Sequence, residues 1–247
     1  KGMEPVLNWN TDRAGAVRFG WGFAGIEPFY KTRDSEAAAW RILHPKNAFE
    51  GKEFLVYGFG VQPDKLVVSS PLNGRVAVWE MELGGSNDRQ LLFSSPQFDI
   101  AGPVVGPSDG RLVGFAYYGE KPQLELFDEQ TRSVQAAIEE LLPGTTARVV
   151  AGSRSGQRLV IASSGDRQPL QYYLLDLQAK SLRLLRRNAP LLTTERLAEM
   201  KPVAFPGTDG VPIPAYLMLP PGAEAKNLPA VVLPHGEQCS RDIWGFD

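Results

Sequence analysis

The chain has 247 residues, 43% of them hydrophobic, with 26 Lys and Arg set against 28 Asp and Glu. Such balanced charge without a basic stripe argues against nucleic-acid binding, and no apolar run approaches the length of a membrane span. One cysteine excludes an internal disulfide, and two histidines at no ligand spacing point to no metal and no cofactor.

In chain order, residues 1–9 read as the tail of an outer strand from a preceding unit. A first repeat follows, with strand-like runs at 15–21, 28–33 and 37–43. The second repeat opens on the inner strand 57–61, then 64–70, 76–81 and 89–93. The third has 100–105, 110–116, 124–129 and 133–137. The fourth has 147–151, 157–163, 172–177 and 181–185.

The register of these repeats carries the argument. Leu66, Leu112 and Leu159 are 46 and 47 residues apart, and Val78, Leu126 and Leu174 are 48 and 48 apart. A period in the mid-forties with four short strands per unit is the mark of a β-propeller blade. The inner strands are rich in Gly, Ala and Val, which suits crowding around a central channel. Trp9, Trp21, Trp40 and Trp79 fall in strand-like segments and are expected to fill space between blades. The chain is thus mostly β, with about four blades, and a closed four-bladed ring stays open as an alternative to an incomplete larger one.

One G-x-S-x-G match occurs at residues 106–110. A nucleophile elbow links a buried strand to a helix, whereas Ser108 stands between two strand-like runs beside the turn former Asp109-Gly110. It is read as a blade turn, equivalent to those near Asp64 and Ser155.

Residues 188–200 read as a connector, helical or irregular around Glu195–Glu199. Two apolar runs, 201–205 and 211–219, then flank Pro206-Gly-Thr-Asp-Gly210, which predicts a hairpin. The wholly apolar run 228–233 suits a strand buried on both faces. It ends at Pro234, His235 and Gly236, with Glu237 and Gln238 next. Cys239 is read as an incidental thiol.

The order Ile213-Pro-Ala-Tyr-Leu217, Leu219-Pro-Pro-Gly222, Val231-Val-Leu-Pro-His-Gly236 and Arg241-Asp-Ile-Trp-Gly-Phe-Asp247 resembles the start of the catalytic domain in the prolyl oligopeptidase family of serine peptidases. The likeness is closest to the acylaminoacyl-peptidase and dipeptidyl-aminopeptidase branch. It implies the opening strands of an α/β-hydrolase domain at 201–247, following propeller blades at 1–187 and the connector at 188–200. It implies that His235, Gly236 and Glu237 form an oxyanion loop. Glu237 and Gln238 depart from the family's Gly and Pro there, and the Glu237 carboxylate would repel a developing anion unless it points away.

No catalytic residue is expected within the chain, because nucleophile, acid and His would all follow Asp247. The chain then reads as a fragment, inactive alone, of a peptidase whose propeller gates access for short peptides. Its expected partners are a short peptide substrate and the remainder of its own hydrolase domain, with self-association into a homo-oligomer open. No signal peptide is visible, and a cytoplasmic setting is favoured without being fixed. The alternative is a non-catalytic propeller that binds a protein or peptide partner.

Overall fold

The computed structural model describes residues 6–12, 14–43, 54–60, 62, 64–83, 89–107, 112–236 and 241–246. The chain forms two compact units, residues 1–117 and 118–247.

The first unit contains two antiparallel four-stranded sheets in plain sequence order. The first sheet is β1 (Val6–Thr11), β2 (Val17–Ala24), β3 (Glu27–Thr32) and β4 (Arg41–Leu43); the second is β5 (Leu55–Phe59), β6 (Lys65–Leu72), β7 (Arg75–Glu82) and β8 (Arg89–Phe93). After them β9 (Ile100–Val105) pairs antiparallel with β10 (Leu112–Tyr118), Leu112 facing Val105. Ser108 lies between these two strands, outside the described residues.

Strand alternation explains how these sheets pack. On β6 and β7, Leu66, Val68, Ala77, Trp79 and Met81 point one way and pack with Phe19 and Leu43 of the first sheet. Their neighbours Val67 and Val78 point the other way and pack with Ile100 and Phe115 of β9 and β10. Successive side chains on a strand face opposite sides, so a sheet apolar on both faces must be sandwiched by others. This is the stacking of propeller blades.

The first strand corrects one expectation. Val6–Trp9 do not belong to an outer strand of a preceding unit; they lie in β1, the first strand of the first sheet, paired with β2. The Asp12 carboxylate accepts from the backbone N–H of Ala14 and Ala16, and Gly15 takes φ 85°. A side chain bonding its own backbone in this way makes a tight turn, which folds β1 straight back onto β2.

The second unit begins with β11 (Pro122–Leu126) and helix α1 (Glu129–Leu141). Its four-stranded antiparallel sheet is β12 (Thr146–Gly152), β13 (Arg158–Gly165), β14 (Gln168–Asp176) and β15 (Ser181–Arg187), again in sequence order. Here is the second correction, because the expected outer strand 133–137 is helix. Asp128 caps it, accepting from the Thr131 N–H and hydroxyl. Ile138 and Leu142, one turn apart, pack with Ala147, Leu159, Ile161 and Leu175. An N-cap and an apolar stripe of helical spacing decide the local structure over the repeat's register.

After a short 3-10 turn at Thr194–Arg196, β16 (Met200–Pro206) and β17 (Pro212–Met218) form the expected hairpin, Val203 opposite Ala215. Its loop closes with Gly207 N–H to Val211 O, and Gly210 takes φ 80°.

The third correction concerns residues 228–233. They form no strand, and Val231, Val232 and Leu233 are 83%, 85% and 79% exposed. A strand needs neighbours for its N–H and C=O groups, and among the described residues none pairs with this run.

Candidate functional site

The chain emerges from the exposed run at His235 and Gly236, both exposed. A Cβ built at Gly236 would meet no atom within 4 Å, so the described neighbours leave open space at this turn. Glu237, with Gln238 and Cys239, lies outside the described residues. Among the described residues, no group of three or more His, Cys, Asp and Glu draws together as metal ligands would. No helix among them is long and apolar enough to cross a membrane.

Beyond the turn the chain is held firmly. Arg241 Nη1 donates to the carbonyl oxygen of Tyr118 at 2.9 Å, and Nη2 to that of Gly119 at 3.1 Å. The Tyr216 hydroxyl, from β17, donates to the next carbonyl, that of Glu120, at 2.7 Å. The Lys121 ammonium then sits 4.0 Å from the centre of the Trp244 ring. Trp244 is buried, and its indole N–H donates to Met200 O at 2.9 Å, which ties it to the start of β16. Four consecutive residues at the turn after β10 are therefore engaged by side chains of the 200–246 region. A guanidinium suits this role because its planar fork offers parallel donors to two acceptors at once.

The turn after β13 makes a second attachment. Asp166 accepts from the Met200 N–H at 2.8 Å, and the Arg167 guanidinium donates to Thr194 O. Nearby, a hydrogen bond from Thr193 comes first among the causes that hold the Glu195 carboxyl below its usual range. Sequence reasoning named none of Lys121, Tyr216, Arg241 or Trp244 as site residues. A signal existed for three of them, since Tyr216, Arg241 and Trp244 lie inside the ordered motif segments.

No protein-family profile matches the chain. It is 26% identical over 168 residues to dipeptidyl aminopeptidase BIII of Pseudoxanthomonas mexicana, covering 65% of this chain and 24% of that protein. It is 23% identical over 194 residues to dipeptidyl peptidase family member 6 of Caenorhabditis elegans, covering 70% of this chain and 26% of that protein. The chain thus spans about a quarter of the length of these curated relatives. Among solved structures, a prolyl endopeptidase aligns with TM-score 0.56 at 13% identity, over 87% of this chain and 31% of its own. A puromycin-hydrolyzing peptidase of Mycobacterium tuberculosis aligns with TM-score 0.53 at 18% identity, over 87% of this chain and 34% of its own. These relatives and fold neighbours are peptidases of the prolyl oligopeptidase family.

Proposed function

We propose that the parent of this chain is a serine peptidase of the prolyl oligopeptidase type, acting on short peptides in an acylaminoacyl- or dipeptidyl-peptidase-like manner. The observation that carries this is the 26% identity to a dipeptidyl aminopeptidase over 168 residues, joined to a fold of blade-like four-stranded sheets. In this reading residues 1–187 are propeller, 188–200 the connector, and 201–247 the start of the α/β-hydrolase domain. The nucleophile, acid and histidine are supplied after Asp247, so the chain alone is inactive.

The chemistry assigned to this chain is narrow. A serine hydroxyl gives its proton to the histidine as its oxygen attacks the scissile carbonyl, and negative charge gathers on the carbonyl oxygen of the tetrahedral intermediate; the C–N bond then breaks, the amine leaves with the histidine's proton, and an acyl-enzyme remains. A backbone N–H at the turn His235, Gly236, Glu237 donates to that oxygen, and such a donor is worth about 10²–10³ in kcat. Gly236 lets substrate approach the backbone closely. The propeller restricts access to short peptides, and the exposed run Val231–Leu233 is covered by the remainder of the hydrolase domain. Self-association into a homo-oligomer remains compatible with this reading.

The test is an assay of the full-length parent with dipeptidyl- and acylaminoacyl-linked chromogenic substrates. Turnover of either supports the reading. A folded parent that cleaves neither, nor any short peptide, overturns it.

A further inference from the structure

Strand register divides the side chains of the β12–β15 sheet between two unlike faces. Leu159, Ile161 and Leu175 point to the core shared with helix α1. Successive side chains on a strand alternate, so Val160, Leu174 and Arg183, which are paired in one row, point the other way. Ala162, Tyr172 and Arg186 form the next row on that same face, and Arg148 of β12 extends it beside Ala162. The face thus has an apolar middle with guanidinium groups at both margins. Val160, Tyr172 and Leu174 are only half-buried and take no part in the α1 core. Arg148, Arg183 and Arg186 are exposed, and among the described residues none of the three has a hydrogen-bond or ion-pair partner. Asp176, the next carboxylate along this face, is already taken by Arg158 at 3.1 Å and by the Ala179 N–H at 2.9 Å.

The β5–β8 sheet shows how such a face is completed in this chain. It is covered on both sides by other sheets, and Arg18 of the preceding sheet reaches Asp64 beside it at 2.9 Å. Blades here meet through an apolar middle and an arginine–carboxylate pair. The open face of β12–β15 has the apolar middle and the arginines but lacks the carboxylates. We propose that this face is covered in the parent by a further blade, from outside residues 1–247, whose facing strands present Asp or Glu to Arg148, Arg183 and Arg186. This rests on the propeller reading of residues 1–187 given above. The chain spans about a quarter of its curated relatives' length, which leaves room in such a parent for more sheets. The arginines would select the occupant, because an acidic margin is attracted and a basic one repelled. Water excluded by the apolar middle strengthens the pairs at its rim.

The experiment uses the full-length parent with Arg183→Lys and Arg186→Lys, made singly, and a zero-length carbodiimide. The reagent joins a carboxylate to an amine in contact with it and leaves arginine untouched, so the wild type serves as the blank. The expected result is a new link, read by peptide mapping, from position 183 or 186 to an Asp or Glu outside residues 1–247, in a segment of strand repeats. No link from either position overturns the proposal. A link within residues 1–247, to the remainder of the hydrolase domain, or between isotopically distinct copies of the parent overturns it too, because each names another occupant. Should neither variant fold, dicarbonyl modification of the wild-type arginines decides. Arg183 and Arg186 spared while Arg187, paired with Gln171 on the other face, reacts would uphold the covered face; reaction at all three would remove it. If the parent cleaves no peptide, the peptidase reading falls by itself, and the link still judges this face.

Discussion

Arg18 Nη2 lies 2.9 Å from Asp64 Oδ1, so the second strand of the first sheet is tied to the turn that opens β6. Arg18 also faces Asp12 at 3.4 Å and the Phe59 ring at 5.3 Å, and its side chain is only 4% exposed. A charge buried to that degree holds position only with partners. Two adjacent blades are thus joined by an ion pair as well as by apolar packing.

Arg18→Met should cost about 3 kcal/mol, because it leaves the largely buried Asp12 carboxylate without its cation. Asp64→Asn should cost less than about 1 kcal/mol, since the Asp64 side chain is 76% exposed. Urea unfolding of the two variants checks the order, and a larger loss for Asp64→Asn would contradict it.

Helix α1 gives a second pair of expectations. Ile138→Ala removes a fully buried side chain from the core over β12 and β13, at about 2–5 kcal/mol. Asp128→Ala removes the N-cap, at about 1 kcal/mol. Were residues 133–137 an outer strand, the Asp128 substitution would be silent in the same unfolding measurement.

Acid stability should depend on Asp34. A hydrogen bond from Arg41, foremost, holds its carboxyl below the ordinary 3.8. A folded-state value below the unfolded one contributes stability above the unfolded pKa, and that stability is lost as pH falls through the folded pKa. Asp34 is largely exposed, so the effect is about 1 kcal/mol or less. Wild type and Asp34→Asn should differ at pH 7 and converge as pH falls below the ordinary carboxylate range and through the lowered folded-state pKa; a constant difference across that range would refute the assignment.

Glu237 offers a test of the turn itself in the full-length parent. If a backbone N–H there serves the oxyanion, Glu237→Gly keeps the donor and removes a nearby negative charge, so kcat should hold or rise. A loss of about 10²-fold would mean that the side chain, not the backbone, carries the role.

The blades were legible because their signal is periodic. Leu66, Leu112 and Leu159 occupy equivalent buried or part-buried strand positions in successive repeats, and local alternation agrees with the long period. Helix α1 was hidden because repeat alignment was given priority over the Asp128 cap and the Ile138 and Leu142 spacing. The strand β1 was hidden because the repeat reading opens its first unit at 15–21 and leaves out of account the tight turn at Asp12 and Gly15 that joins β1 to β2. The run 228–233 shows a different limit: its composition describes a buried strand, but burial requires neighbours, and composition does not supply them. Near the candidate site, the hairpin was legible from its two apolar runs and the turn formers Pro206 to Gly210. The Arg241 anchor was not, because its acceptors are backbone carbonyls at residues 118 and 119, which leave no mark in the sequence.

The most direct measurement is labelling of the full-length parent by a fluorophosphonate probe, with and without a short competing peptide, beside the same treatment of residues 1–247 alone. The account predicts stoichiometric labelling of the parent at one serine beyond residue 247, suppressed by the peptide, and no labelling of the shorter chain. Labelling within residues 1–247, or none in a folded parent, would contradict it.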